Sequence, residues 1–170
     1  MGKKLIFETD HFLVRALLMS DLEPFHEMHS NINVMRYVRG AAMTREENEK
    51  ELPELIKKYT EAGNDFWIYA IERKSDSMFV GTVALVKDDQ NDDELGYRFL
   101  EKYWGMGYGL EICQGLVDYC RSIGFPKLIG YVADVNVASA KILEKCNFKE
   151  VSKGIEPNLK IPETKYELIL

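Results

Sequence analysis

The chain has 170 residues, enough for one domain with a sizeable core. Apolar residues make up 46% and charged residues 29%, and no apolar run approaches the roughly 18 residues of a membrane-spanning helix. A formal charge of −6 excludes a nucleic-acid binder that relies on a general basic surface, and it suits a cationic acceptor such as an amine or a basic peptide.

The opening Met1-Gly-Lys-Lys-Leu-Ile-Phe-Glu8 has too short an apolar stretch for a signal peptide, and Gly2 lacks the Ser or Thr of a myristoylation signal. Glu8–Arg15 alternates as a first strand, with Phe12 and Val14 on one face. Ser20-Asp21 reads as a helix N-cap, and that helix runs to about His29. Thr44-Arg-Glu-Glu47 has capping-box spacing and starts a second helix, which reaches Tyr59 and stops at Gly63-Asn64. Pro53 predicts a kink or break inside it. Three strands follow, at 66–72, 78–86 and 94–100, joined by short polar hairpin loops. A helix from about Gly107 to Ile123 carries Ile112, Cys113, Leu116, Val117 and Cys120 at the helical period, and Gly124 and Pro126 end it. Lys127–Val132 is a buried strand, Asn136–Cys146 a short helix, and 148–151 and 166–170 are closing strands. The pattern is one α+β domain over residues 1–170. The odd count of three cysteines (Cys113, Cys120, Cys146) predicts reduced thiols in the cytoplasm, and Cys113 and Cys120 share a buried helix face.

Trp104-Gly-Met-Gly-Tyr-Gly109 places three glycines between a strand end and a helix start. Glycine lets the backbone approach a ligand closely, and the first amides of a helix lack intrahelical partners, so the junction is a ready anion cradle. The dinucleotide fingerprint is excluded because Leu110 stands where a third glycine is required, and no Gly-Lys-Ser/Thr exists for a P-loop.

The segment resembles the coenzyme A signature of the GNAT N-acetyltransferase superfamily, Gln/Arg-x-x-Gly-x-Gly/Ala, with Trp104 in the first slot and Gly107 and Gly109 at the glycines. The Trp, the opening Glu8–Arg15, Glu94-Leu-Gly-Tyr97 and the closing Asn136-Val-Ala-Ser…Glu-Lys-Cys-Asn-Phe148 are similar to the subgroup that acetylates the N-terminal residues of ribosomal proteins. The resemblance implies a central, mostly antiparallel twisted sheet of about seven strands flanked by about four helices. It implies a bulge that splays the central strand, with the pantetheine arm of acetyl-CoA bound near Phe99, Leu100 and Glu101. The diphosphate then lies on the amides of Met106, Gly107, Tyr108, Gly109 and Leu110, and Asn136 bonds the pantetheine. The implied partners are acetyl-CoA and an amine acceptor, either a protein N-terminus or a small molecule. Nucleic acid, membrane and metal are not among them, and the protein is expected to be a monomer or homodimer.

Acetyl transfer to an amine needs a base, a polarised carbonyl and an acid near the leaving thiolate. Glu94 is the candidate base, since related polyamine acetyltransferases carry a glutamate there; the bland alternative is that it ends the acidic loop 88–93. Many family members place a Tyr acid where this chain has Leu143, which leaves Ser139, or Tyr97, Tyr108 or Tyr131, and which opens the alternative of a non-catalytic coenzyme A sensor. Ser139 can equally be a helix-cap hydroxyl. Asn147 replaces a motif glycine at a helix end where left-handed geometry is expected. Arg15, Arg36 and Tyr37 are expected in the acceptor cleft. Asp89-x-Asn91-x-Asp93 imitates a calcium loop but lacks its Gly and final Glu, and His26 and His29 read as surface residues.

Overall fold

The opening segment is a hairpin, not the single strand its alternation suggested. In the computed structural model, which describes residues 3–170, β1 (Leu5–Glu8) pairs antiparallel with β2 (Phe12–Ala16). The Thr9 amide donates to the Phe12 carbonyl at 2.9 Å and closes the turn. Met1 and Gly2, the latter weighed for acylation, lie outside the described residues. Phe12 and Val14 do share one face, and both are fully buried.

A 3-10 turn, Met19–Asp21, leads into α1 (Leu22–His29). Asp21 does not cap α1 as expected. Its carboxylate accepts from the Leu18 amide at 2.8 Å and from the Arg15 guanidinium at 2.8 and 2.9 Å. The single turn α2 (Ile32–Met35), too short to leave a periodic pattern, is capped by Asn31. The predicted capping box opens α3 (Arg45–Lys58): Glu47 N–H donates to Thr44 Oγ1 at 3.2 Å, and Thr44 N–H donates to Glu47 at 2.7 Å. Pro53 does not break this helix. The carbonyl it deprives of a donor belongs to Glu49, which faces solvent where water can substitute.

The meander β3 (Phe66–Arg73), β4 (Phe79–Lys87) and β5 (Asp93–Phe99) is followed by α4 (Tyr108–Ser122), β6 (Lys127–Ala133), α5 (Val137–Lys145), β7 (Lys149–Ile155) and β8 (Pro162–Ile169). The last hairpin is longer than its sequence suggested, because β7 is exposed along its whole length and shows no alternation to read. Among the described residues, the result is one eight-stranded sheet with the order β1-β2-β3-β4-β5-β6-β8-β7, flanked by five α-helices. Every neighbouring pair is antiparallel except β5 and β6.

Alternation along the strands divides the core between the two faces. Phe12, Val14 and Ile71 pack with Ile112 and Leu116 of α4 and Leu143 of α5. On the other face Ala70 and Phe79 pack with Phe25 and Met28 of α1 and Leu52 and Leu55 of α3. All three cysteines are buried and free. Asn147 has φ of 67°, the left-handed geometry expected after α5.

Candidate active site

Parallel pairing of β5 with β6 is confined to the register Glu94–Ile129, and beyond it the strands diverge. The gap widens into a cavity of roughly 760 Å³, within the usual range for small-molecule sites. Leu95–Phe99 form one wall, Gly130–Ala133 the other, α4 and α5 close one side, and residues 36–38 overhang it. The expected bulge is absent from β5, which keeps unbroken register with β4 from Asp93 to Phe99. The local device is Gly81: a Cβ there would sit 2.0 Å from the Arg98 carbonyl oxygen, so only glycine lets β5 press this close to β4 while its other edge is released.

At the mouth, Gly105 and Gly107 adopt φ of 74° and 80° and face open space. Gly109 serves differently, since a Cβ would meet Ile142 at 2.9 Å and Tyr97 at 3.4 Å; its smallness lets α4 pack on α5 and β5. Among the described residues, the amides from Gly105 through Leu110 donate to no protein acceptor, and the first helical bond runs from the Glu111 amide to the Gly107 carbonyl at 3.3 Å. Free amides at the positive end of a helix dipole form a site for phosphate. Trp104 braces this turn by donating its indole N–H to the Phe99 carbonyl at 3.0 Å.

The expected cofactor residues divide by position. Phe99, Trp104, Gly107, Tyr108, Gly109, Leu110 and Asn136 line the cavity, whereas Leu100, Glu101 and Met106 do not. The Leu100 amide is already bonded to the Val80 carbonyl at 3.0 Å, and the Glu101 carboxylate holds the side chains of Asn31 and Asn33. Lys141 and Lys145, one turn apart on α5, also line the cavity and were missed; their i, i+4 spacing was the available signal.

Ser139 lines the cavity and is not a helix cap. Asn136 caps α5 instead, accepting from the Ser139 amide at 3.3 Å. Of the tyrosines, Tyr131 donates to Asp88 at 2.9 Å and Tyr108 accepts from Arg73 at 3.1 Å. The Tyr97 hydroxyl is buried beside Ser139 without a well-formed hydrogen bond, and burial holds its pKa well above normal. Leu143, at the usual Tyr position, is core, packed against Gly130.

Glu94 occupies the last paired position, just outside the cavity, next to Leu95 and Gly96 that line it. Burial, then the neighbouring charges of Asp88 and Glu163, push its pKa up to about 7. Arg36 and Tyr37 line the overhang. Arg15 does not reach the cleft: it is 4% exposed, with its guanidinium held by Asp21 and by Glu72 at 2.6 Å, and stitches β2 to β3 and the 3-10 turn. His29 is likewise no surface residue. It is 3% exposed, because α1 turns it towards Asn48 and Arg98, and burial together with the Arg98 charge lowers its pKa to about 4. The acidic loop is tied down by Lys165, which bonds Asp88 at 3.3 Å and Asp92 at 3.1 Å.

Comparison with known proteins agrees with this geometry. The family model described as an acetyltransferase (GNAT) domain matches residues 11–149. A GNAT-family acetyltransferase from Bacillus anthracis superposes with a TM-score of 0.82 at 21% identity, covering 96% of this chain and 97% of that one. A ribosomal L7/L12 α-N-protein acetyltransferase, RimL, solved with coenzyme A, gives 0.78 at 15% identity over 98% of both chains. A spermidine N-acetyltransferase from Vibrio cholerae, solved with CoA and spermine, also gives 0.78, at 18% identity over 94% and 95%. Because the family model spans most of the sequence, from the turn before β2 to the first residue of β7, the chain belongs to the GNAT acetyltransferase family.

Proposed function

We propose that residues 1–170 act as one domain that transfers an acetyl group from acetyl-CoA to a primary amine by direct attack. The observation that carries this reading is the run of free amides from Gly105 to Leu110 at the mouth of a cavity walled by the splayed edge of β5. Such amides suit a diphosphate, and a gap between diverging strands suits a slender arm. Met106, Gly107, Tyr108, Gly109 and Leu110 take the diphosphate, while Phe99 and Asn136 flank the arm.

The bound co-substrate supplies the acetyl group as a thioester, an activated form that requires no metal. Glu94 takes the proton of the acceptor ammonium, directly or through one water, and a pKa of about 7 matches that task at neutral pH. As the C–N bond forms and the C–S bond breaks, the hydroxyls of Ser139 and Tyr97 face the charge arriving on sulfur. Tyr97 keeps its proton because burial disfavours the phenolate, so it acts as a hydrogen-bond donor. Arg36 and Tyr37 overhang the acceptor side. A protein N-terminus is the first acceptor to test, given the ribosomal-protein acetyltransferase among the neighbours, and small amines are the second, given the spermidine enzyme.

The test combines calorimetric titration of acetyl-CoA with thiol release over a panel of peptides and amines. Glu94→Gln is expected to lower kcat on the order of 100-fold at pH 7, to remove the ascending limb of the pH–rate profile near pH 7, and to leave acetyl-CoA affinity unchanged. An unaltered profile removes Glu94 as the base. Binding without turnover on any acceptor marks a coenzyme A sensor, and absence of binding overturns the whole reading.

A further inference from the structure

The seven arginines fall into two groups. Arg15, Arg39, Arg45, Arg73 and Arg121 each have a carboxylate within ion-pair distance. Among the described residues, Arg36 and Arg98 have none, and both line the cavity. Arg36 is fixed by Asn33, to whose amide oxygen it donates at 2.9 Å.

Arg98 lies deep under the surface yet retains a surface open to the cavity. Its Nη1 donates to His29 Nε2 at 3.0 Å. The polarity of that bond is set by what lies behind it. Asn48 Nδ2 donates to the Thr44 carbonyl at 2.9 Å, so its Oδ1 faces His29 Nδ1 at 3.1 Å and accepts from it. His29 therefore carries its proton on Nδ1 and offers Arg98 a lone pair. The guanidinium is oriented by a neutral partner and has no direct ion pair. Its remaining nitrogens donate to no protein acceptor and are not sealed from the cavity. Glu51 attracts Arg98 through space but stays beyond ion-pair distance. Burying a charged guanidinium without a direct counter-ion is costly, and a charged ligand group removes that cost.

Arg98 and Glu94 are four residues apart on one strand, so their side chains leave the same face, with Cα atoms about 13 Å apart. A proton acceptor stands at one end of that face and an anion holder at the other. Resting on the acetyl-transfer reading, we infer that the acceptor amine also carries a carboxylate, which Arg98 binds with Arg36 at the rim. Such acceptors are amino acids and amines of similar build; a peptide with an acidic residue near its N-terminus presents the same chemistry. Arg98 is thus a specificity residue that selects against polyamines, in contrast to the preference suggested by the net charge alone.

Matched pairs test this on the intact protein: L-lysine against cadaverine, L-ornithine against putrescine, and a peptide with Asp at its second position against its Asn counterpart. The expected result is kcat/KM at least about tenfold higher for carboxylated members. Arg98→Met is expected to raise KM for those members by about tenfold with kcat retained, to leave kcat/KM for the partners that lack the carboxylate unchanged or higher, and to be partly rescued by Arg98→Lys. Equal or better turnover of the decarboxylated amines by the wild-type protein overturns the inference, whether or not the variants fold. So does a uniform fall in kcat for both members of each pair in a folded Arg98→Met. If acetyl-CoA binds but nothing is acetylated, the transfer reading fails separately. Calorimetry of each pair in the presence of CoA then decides: selective binding of the carboxylated member, lost in Arg98→Met, supports the site, and no selectivity overturns it.

Discussion

Gly81 illustrates how a residue without a side chain shapes this site. The Arg98 carbonyl occupies the space a Cβ would take, at 2.0 Å, and backbone cannot move aside as a flexible side chain can. Gly81→Ala is therefore expected to cost about 1–3 kcal/mol and to displace β5 at Arg98 and Phe99, the wall of the cavity. Denaturant titration reads the first effect and acetyl-CoA affinity the second. An alanine variant with unchanged stability and affinity contradicts the account. In the sequence Gly81 is one more glycine in a strand, and nothing beside it announces the contact with a residue seventeen positions later. Glu94 is a different case. The resemblance to polyamine acetyltransferases made it a candidate, but its proton affinity depends on burial and on Asp88 and Glu163, which only the fold brings near.

The turn entering α4 is the element most legible beforehand. Glycines, a helix period and a preceding strand are local features, and they predict free amides without tertiary information. The structure separates the glycines by role: Gly105 and Gly107 bend the chain in open space, and Gly109 lets the helix pack. Gly107→Glu is accordingly expected to leave the fold intact, at about 1 kcal/mol for a side chain at positive φ. It should weaken acetyl-CoA binding by about a hundredfold, because like charges would meet at the position proposed for the diphosphate. Calorimetry with acetyl-CoA, alongside a circular dichroism melt, checks both; retained affinity dissociates the turn from the ligand. The splay of β5 from β6 was expected through a bulge, and its actual origin is a single paired register followed by divergence. Pairing geometry between strands far apart in sequence is not encoded locally.

At the scale of the whole molecule, two buried groups oppose each other in their effect on stability. His29 has a folded pKa near 4 against an ordinary 6.5, so between those values the unfolded chain binds the proton that the folded one refuses, and stability falls as pH drops. Glu94 has a folded pKa near 7 against 4.5, so the folded chain binds more protons in that window and stability falls as pH rises. The windows overlap and the shifts are similar, so the two slopes largely cancel between pH 4.5 and 6.5. Glu94→Gln is expected to expose the histidine slope, with stability rising by up to about 2–3 kcal/mol from pH 4.5 to 6.5. His29→Gln should show the reverse. Urea titrations at pH 4.5, 5.5 and 6.5 measure this, and parallel profiles for wild type and Glu94→Gln contradict it.

The sequence by itself determined the element types, the capped start of α3, the amide-lined turn and the resemblance to the GNAT superfamily, because these rest on periodicity and near neighbours. It also placed Asn136, Ser139, Arg36 and Tyr37 among residues that the fold gathers around one cavity. Tertiary structure alone decided which charges are compensated. Arg15 and Arg98 are both strand arginines, and nothing in their local sequence distinguishes them. One is locked between Asp21 and Glu72, while the other is held by a neutral histidine and left facing the cavity. Charge pairing depends on which distant carboxylates the packing delivers within a few ångströms, and the electrostatic energy changes steeply over that distance.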